Sequence, residues 1–270
     1  MAGVAAFLWG TIGIAYSLGL RGGCRWDWLV AGRVIVASLG GVIGYLAGLG
    51  RPSRWSVIIG LGALAPLYIV YLMAIPRIGA AMASILLYTA PIWVALLSPV
   101  LLGERPGRSG YLGVALGFLG VVLVGYQQGD ADILGILLGL ASGVSYGLYI
   151  LLARLAQLRG ASSLEVGLYA IPFSALGVLL VLRPDTLPGG CEVYWSLYLG
   201  VVATLLPYVL HTKALSMVEA YRVSIVSLVE PLSATILAYI VLGERLTLLQ
   251  AVGGLLILSA SYTVVREGWT

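Results

Sequence analysis

Charged residues are scarce in this chain. Of its 270 residues, 10% are charged and 60% are hydrophobic, and its mean hydropathy is +1.04. A soluble domain carries about 25% charged residues, so this composition excludes a soluble globular protein. Uncharged stretches recur along the whole sequence, each close to the ~20 residues that a helix needs to cross a bilayer. The composition therefore predicts a multi-pass membrane protein.

The sequence also lacks the alternation of polar and apolar residues that marks a transmembrane β-barrel. Barrel strands alternate over segments of about ten residues, and residues 133–153 and 232–242 show no such pattern. The predicted fold class is therefore an all-α polytopic membrane protein. Its net charge is +4, and basic residues of membrane proteins mostly anchor cytoplasmic loops, so we expect no nucleic-acid partner.

Residues that usually carry catalysis or bind metals are few. The chain has one histidine and two cysteines, so it lacks the two histidines and glutamate of an intramembrane zinc enzyme. A glycine-rich phosphate loop is also missing. We expect no enzyme activity, no metal and no cofactor. Cys24 and Cys191 fall in predicted loops on one side of the membrane. A disulfide would require an oxidising compartment, and two free thiols are the interpretation that we favour.

Ten apolar stretches separated by short polar segments predict ten membrane-spanning helices. Proline and charged residues mark most of the boundaries between them. The predicted spans are 2–20, 29–49, 55–75, 79–102, 109–126, 133–153, 163–182, 193–212, 217–242 and 246–265.

The basic residues in the loops and near the ends of the predicted spans indicate the orientation, because cytoplasmic loops carry an excess of arginine and lysine. Nine fall on the side of both termini, and these are Arg51, Arg54, Arg105, Arg108, Arg154, Arg159, Lys213, Arg222 and Arg266. Six fall on the other side, and these are Arg21, Arg25, Arg33, Arg77, Arg183 and Arg245. The excess predicts a plasma-membrane protein with both termini in the cytoplasm.

One phrase of the sequence occurs twice, 140 residues apart. Pro91 and the later run Leu-Gly-Glu-Arg at 102–105 return as Pro231 and the same run at 242–245. Each copy contains five predicted spans, and five is odd, so the second copy enters the membrane upside down relative to the first. The pattern predicts two inverted-topology five-helix repeats, an arrangement common in secondary transporters. Residues 127–132 are the predicted hinge.

A proline-bearing span, an apolar run ending in Leu-Gly-Glu-Arg and a glycine-rich span, all occurring twice, resemble the EamA domain of the drug/metabolite transporter superfamily. We assign the first EamA repeat to 1–127, with spans one to five, and the second to 128–270, with spans six to ten. The resemblance implies a ten-helix bundle whose central cavity is lined by the third, fourth, eighth and ninth helices, with help from the first and sixth.

The function that this resemblance implies is transport of small metabolites, often export of amino acids or related amphipathic compounds. We expect alternating access between the two halves, with protons as a candidate coupling ion, a small-molecule substrate and the lipid bilayer as partners, and a monomer or weak dimer. The alternatives are a passive channel or lipid-scrambling protein and, less favoured, an intramembrane enzyme. Substrate identity, transport direction and coupling ion stay open at this stage.

Glu230 is the substrate-binding or coupling candidate that the repeat singles out. It precedes Pro231 near the middle of span nine, where a charged carboxylate costs at least ~2.5 kcal/mol. Its counterpart in the first copy is Ala90, although Pro91 is kept. Such a carboxyl group suits proton coupling or recognition of an amine. The structural alternative is a carboxylic acid that only stabilises helix packing.

The other candidates are polar-tipped aromatic residues and a histidine. His211, whose counterpart is Tyr71, could bind a substrate carboxylate or relay a proton; the alternative is a residue at the membrane interface. Aromatic rings with polar tips suit an amphipathic substrate, although packing or interfacial belts also explain them. The aromatic candidates are Trp9, Tyr68, Tyr71, Tyr88, Tyr146, Tyr149 and Tyr208.

Pro91 and Pro231 are the predicted hinge or gating residues. Each lies inside a span, where proline removes a backbone donor and frees a carbonyl. Their occurrence in both copies favours this pair over the other prolines of the spans.

Overall fold

A computed structural model describes residues 1–125, 132–243, 245 and 247–267. These residues form ten apolar helices, α1 to α10, and no strand. The helices are Ala2–Arg21, Trp26–Leu46, Arg54–Ala80, Met82–Leu101, Arg108–Val124, Ile133–Leu158, Ser163–Val181, Gly190–Leu215, Ala220–Leu242 and Leu248–Arg266. Within the described residues, nine are long and apolar enough to cross a membrane, and α5 is a shorter apolar helix. The prediction of an all-α polytopic fold is confirmed.

The largest difference from the predicted spans lies between α3 and α4. The sequence pattern ends the third span at residue 75, but α3 continues through Pro76 to Ala80. The helix is interrupted at Gly79, whose φ of 75° and ψ of 158° are non-helical; glycine adopts this backbone conformation without steric penalty. Hinge residues 127–131, the predicted domain boundary between 127 and 128, and Glu244 lie outside the described residues.

Both α4 and α9 are interrupted by a turn within the helix, at 88–89 and 227–228. Helix resumes at Ala90 in α4 and at Val229 in α9. The two prolines that recur 140 residues apart explain the turns, because Pro91 and Pro231 have no N–H to donate to the carbonyl four residues earlier. Their role as hinges stays a prediction.

The helices pack in pairs that cross between the two halves of the chain. Helix α1 lies along α9 as α6 lies along α4, and α2 lies along α8 as α7 lies along α3. The pairs α2–α7 and α5–α10 complete the set. Exchanging the first five helices for the last five interchanges α1–α9 with α4–α6 and α2–α8 with α3–α7, and leaves α2–α7 and α5–α10 unchanged. The packing therefore fits the two inverted repeats that the sequence predicts.

Glycines allow the α1–α9 and α4–α6 pairs to approach closely. A Cβ added to Gly10 would lie 2.7 Å from the Cβ of Ser233, and one added to Gly147 would lie 3.0 Å from the Cβ of Trp93. Ser233 and Trp93 are themselves 140 residues apart. The small-residue contacts thus occur at equivalent places in the two halves, as expected for close helix packing in membranes.

The two faces of the bundle are distinguished by the ends of the chain. Met1, Gly3 and Val265 line one common cavity, so α1 begins and α10 ends on the same face, called the termini face below. The loop between α1 and α2 and the loop between α7 and α8 meet at the other face, called the disulfide face.

Cys24 and Cys191 form a disulfide, with their Cα atoms 5.7 Å apart. The favoured interpretation of two free thiols is therefore wrong. The backbone N–H of Arg25 donates to Oε1 of Glu192 at 3.0 Å, and the Arg25 side chain pairs with Asp185 at 2.8 Å. These contacts hold the α1–α2 loop against the first turn of α8, which brings the two cysteines within the ~4.4–6.8 Å Cα separation that a bridge needs.

Exposed ion pairs lower the pKa of two aspartates at the disulfide face. The Arg25 guanidinium holds the pKa of Asp185 below its ordinary value of 3.8. Asp132 has its pKa lowered by Arg77 and then by the N–H of Leu134, which it caps at the start of α6. Because the folded-state pKa is the lower one, each carboxylate stabilises the fold above its unfolded pKa and loses that contribution as acid protonates it.

Candidate functional site

A compact group of buried rings fills the centre of the bundle on the side of the termini face. We call Trp9, Tyr146, Tyr149, Tyr208 and His211 the aromatic cluster. The ring of Trp9 lies 5.3 Å from that of Tyr208 and 5.1 Å from that of His211. Tyr149 stacks on Tyr146 at 6.2 Å and on His211 at 5.6 Å. Helices α1, α6 and α8 thus bring together five of the nine predicted substrate or coupling residues.

His211 is completely buried by the surrounding helices. The sequence pattern ends span eight at residue 212, but α8 continues to Leu215, so the imidazole lies inside the helical bundle with no exposed surface. Its Nδ1 is 3.3 Å from the Tyr149 hydroxyl, and its Nε2 has no hydrogen-bond partner among the described residues. The imidazole therefore packs against protein, and its role in substrate binding or proton relay stays a prediction.

Tyr68 and Tyr208 meet at the seam between the two halves. Their hydroxyl groups are 2.7 Å apart, although the residues are separated by 140 positions in the chain. Residues related by a twofold exchange of the halves can touch each other only near the axis of that exchange. The hydrogen bond therefore places this tyrosine pair at the centre of the bundle, beside the aromatic cluster.

Arg33 is a central residue that the sequence reasoning missed. It is counted among the six basic residues of the disulfide-face side, but it lies seven residues into α2, about 10 Å along the helix. Its Nε donates to the Thr204 hydroxyl at 2.6 Å, and its Cζ lies 5.7 Å from the centroid of the Tyr68 ring. The guanidinium thus points into the bundle and does not extend to the membrane surface. The sequence feature that could have identified Arg33 as a central residue is a single charged residue within an apolar stretch.

Glu230 occupies the first turn of helix after the break in α9. The exposed N–H groups of a helix start and its dipole favour a negative charge at that place. The carboxyl group interacts with the hydroxyl of Tyr88 and, at longer range, with Tyr71 and Arg33. Tyr71 is also held by a 2.9 Å hydrogen bond to Ser84. The sequence-predicted residues Tyr71 and Tyr88 therefore belong to the surroundings of Glu230.

Arg33 and Glu230 interact with each other at long range without forming an ion pair. No ion pair within 4.0 Å joins them or joins either to another described residue, yet each contributes to the electrostatic surroundings of the other. Arg33 and Glu230 are both partly exposed, whereas the residues of the aromatic cluster are buried. Since charged groups in membranes face cavities or partners, we define the central site as the space that they border with Tyr16, Tyr68, Tyr71 and Tyr88.

The termini face is closed below the aromatic cluster by polar contacts. Arg154 of α6 pairs with Glu104 at 2.6 Å, and both side chains are largely buried. The same Glu104 accepts a 2.7 Å hydrogen bond from the N–H of Ala220, the first residue of α9. Gln157 of α6 donates to the Thr212 carbonyl of α8 at 2.7 Å. These contacts join the ends of helices from both halves.

The described residues contain no group of three histidine, cysteine, aspartate or glutamate side chains that could hold a metal ion. The central site is built from one guanidinium, one carboxyl group and tyrosine hydroxyls. Such a set can bind a small molecule that has charged and apolar parts.

Comparison with known proteins supports a transport function. The EamA-like transporter family matches residues 1–126 and again 133–266. An uncharacterized transporter of Archaeoglobus fulgidus is 35% identical over 226 residues, covering 82% of this chain and 80% of the relative. The uncharacterized transporter YwfM of Bacillus subtilis is 26% identical over 279 residues, covering 96% and 92%. A solved structure, titled only as a crystal structure of a protein, superposes with a TM-score of 0.81 at 21% identity, covering 100% of this chain and 98% of that one.

Proposed function

Because the chain belongs to the EamA-like transporter family of the drug/metabolite transporter superfamily, we propose that it is a secondary transporter that exports small amphipathic metabolites, such as amino acids. One observation carries the proposal. The Glu230 carboxyl group lies near the middle of a membrane-spanning helix, where it contacts the Tyr88 hydroxyl and interacts with Tyr71 and Arg33. Ionisable groups at such depths mark substrate and ion pathways in membrane proteins.

Alternating access is the mechanism that the packing supports. The cross-half pairs α1–α9 and α4–α6 are equivalent under exchange of the halves, and Tyr68 and Tyr208 touch at the seam. One face is closed by the aromatic cluster and by the Glu104–Arg154 pair. If the two halves exchanged conformations, the equivalent elements would close the disulfide face and open the termini face.

Proton coupling through Glu230 is the second part of the proposal. A carboxyl group can bind a proton in one state of the carrier and release it in another, whereas its counterpart Ala90 cannot. The break in α9 just before Glu230 gives the carboxyl group a helix start on one side and the Tyr88 hydroxyl on the other. A change in helix geometry at that break would alter both contacts and hence the proton affinity.

Transport by reconstituted protein tests this role. We expect uptake of a transported amino acid into proteoliposomes to accelerate when a proton gradient is imposed. Glu230→Gln keeps the size and shape of the side chain but should lose at least ~90% of that acceleration, because an amide cannot exchange protons. Glu230→Asp, which keeps a carboxyl group, should retain part of the acceleration. Glu219→Gln removes a half-exposed acid of the termini face and serves as the matched control. Full proton stimulation in Glu230→Gln would overturn the coupling role.

Counterflow separates a carrier from the alternatives. A carrier shows saturable uptake that is accelerated by unlabelled substrate on the other side of the membrane. A passive channel or a lipid scramblase shows neither property. Uptake that rises linearly with concentration and ignores substrate on the other side would therefore refute the carrier mechanism.

The disulfide supports the predicted orientation. Disulfides persist in oxidising compartments and are rare in the cytosol. The Cys24–Cys191 bridge therefore favours a disulfide face outside the cell and a termini face in the cytoplasm, as the excess of basic residues also predicts. Export is then movement from the termini face to the disulfide face.

A further inference from the structure

Arg33 is held in a fixed position inside the membrane, away from any acidic partner. Thr204 is fully buried; its hydroxyl accepts from Arg33 Nε at 2.6 Å and donates to the Leu199 carbonyl at 2.7 Å. The Tyr68 ring lies under the guanidinium carbon. No described acidic side chain forms an ion pair with Arg33. An arginine that is retained at this depth without a carboxylate lacks the anion that its planar fork matches best.

Each charged residue of the central site occurs in only one of the two halves: Arg33 in the first half and Glu230 in the second. Gly60 packs on the Ala170 carbonyl in the way that Gly200 packs on the Arg33 carbonyl, so Ala170 is the structural counterpart of Arg33. Glu230 likewise corresponds to Ala90. The symmetric scaffold has alanine at both places, and the chain has one cation on α2 and one anion on α9.

We propose that Arg33 determines substrate specificity by binding a carboxylate, and that Arg33 and Glu230 together select zwitterions with one carboxylate and one ammonium group. This inference rests on the proposed transport function. The two charges are too far apart to pair with each other but close enough to interact. A ligand with both groups would neutralise both at once and leave the membrane-embedded site without net charge.

The geometry favours a carboxylate over a phosphate. The Nε of Arg33 is already used by Thr204, and the Tyr16 hydroxyl also contacts the guanidinium, so the remaining N–H groups of the terminal nitrogens face the ligand. That edge can offer two parallel N–H bonds to a carboxylate. A phosphate carries up to two negative charges, and one of them would remain uncompensated beside Glu230. The tyrosine rings around the site supply apolar surface for the rest of the molecule.

Matched probes test the proposal in proteoliposomes. Each of a panel of natural amino acids is compared with its decarboxylated amine and its deaminated acid, for example L-phenylalanine with 2-phenylethylamine and 3-phenylpropionate. Wild-type protein should transport at least one amino acid with a KM at least ~10-fold below that of either analogue, because a hydrogen-bonded charge contributes ~1.5–3 kcal/mol.

Variants of the two charged residues should reverse this preference in opposite directions. Arg33→Gln should raise the amino-acid KM at least ~10-fold and bring the amine to equal or better transport, since Glu230 remains. Glu230→Gln should favour the deaminated acid, since Arg33 remains. Arg33→Lys should recover part of the amino-acid transport. Arg222→Gln, which removes a largely buried arginine of the termini face, is the control that should leave all three KM ratios unchanged.

The outcomes distinguish the two levels of the proposal. Wild-type transport of amines or acids as good as that of amino acids, or unchanged KM ratios in Arg33→Gln protein that stays monodisperse, would overturn the specificity role and leave the transporter intact. Absence of saturable transport for every probe, charged or neutral, would overturn the proposed function itself.

Discussion

At the scale of single residues, Thr204 determines where the Arg33 charge is placed. Its hydroxyl donates to the Leu199 carbonyl five residues earlier, which the wide π-helical turn of residues Tyr198–Leu205 allows. The oxygen lone pairs are then left to accept from Arg33. Thr204 is therefore a positioning residue that acts on substrate only through Arg33.

Replacing Thr204 tests this positioning role. Thr204→Val keeps the side-chain shape but removes the acceptor, so the guanidinium should sample several positions. We expect the KM for an amino-acid probe to rise about 10-fold, in line with ~1.5 kcal/mol for a hydrogen bond to a charged group, with little change in maximal rate. Thr11→Val, which removes a hydroxyl bonded only within its own helix, should leave the KM unchanged. An equal effect of both variants would contradict the role of Thr204.

The repeat made Glu230 predictable and concealed Arg33. Equivalent residues of α4 and α9 are 140 positions apart, and the sequence comparison used that offset. Equivalent residues of α2 and α7 are 137 positions apart, as the Arg33 and Ala170 contacts show, so a fixed offset does not align them. Arg33 also follows a loop with several charges, and the predicted span began at residue 29. Only the packing of Gly200 on Arg33 and of Gly60 on Ala170 reveals that Ala170 is the counterpart of Arg33.

At the scale of helices, α1 presents two glycines with different surroundings. A Cβ on Gly10 would lie 2.9 Å from the Glu230 carbonyl oxygen, whereas a Cβ on Gly13 would meet nothing within 4 Å. The first glycine is required by the α1–α9 contact, and the second is not. Since α9 carries Glu230, a shift of α1 at Gly10 would also move the central site.

Alanine at the two positions should therefore have opposite effects. Gly10→Ala should lower the free energy of unfolding by ~1–3 kcal/mol through overpacking and slow transport. Gly13→Ala should be neutral or raise stability by up to ~1 kcal/mol, because alanine favours helix. Thermal unfolding of both proteins in the same detergent measures the difference. Equal melting temperatures would show that α1 and α9 are not closely packed at Gly10.

Helix boundaries were predictable only where apolar and polar composition changed. The predicted starts of α6 and α7 agree with the structure, because Asp132 precedes α6 and the pair Arg159-Gly160 lies just before α7. The π-helical segments Gly60–Leu64 and Tyr198–Leu205 are not visible in the apolar pattern of the sequence. The sequence feature that accompanies them is a proline just after each segment, Pro66 and Pro207, which cannot donate a hydrogen bond to the preceding turn.

At the scale of the whole molecule, the orientation can be measured with introduced thiols. The native cysteines are bridged to each other and do not react with maleimides, so a new cysteine reports alone. Ser216→Cys lies on an exposed loop of the termini face, and Leu187→Cys lies on an exposed loop of the disulfide face. We expect an impermeant maleimide to label Leu187→Cys in intact cells and Ser216→Cys only after permeabilisation. The reverse pattern would invert the export direction.

The cross-half pairing of helices imposes an order on biosynthesis. Helices α1 and α2 find their main partners in α9, α7 and α8, so the first half enters the bilayer before most of its contacts exist. Arg33 must be inserted while Thr204, 171 residues further along the chain, is not yet in the membrane. Insertion of an arginine costs ~2.5–3.5 kcal/mol at the centre of a helix. The nascent first half therefore depends on the insertion machinery to retain α2 until α8 is synthesised and the charge acquires its place.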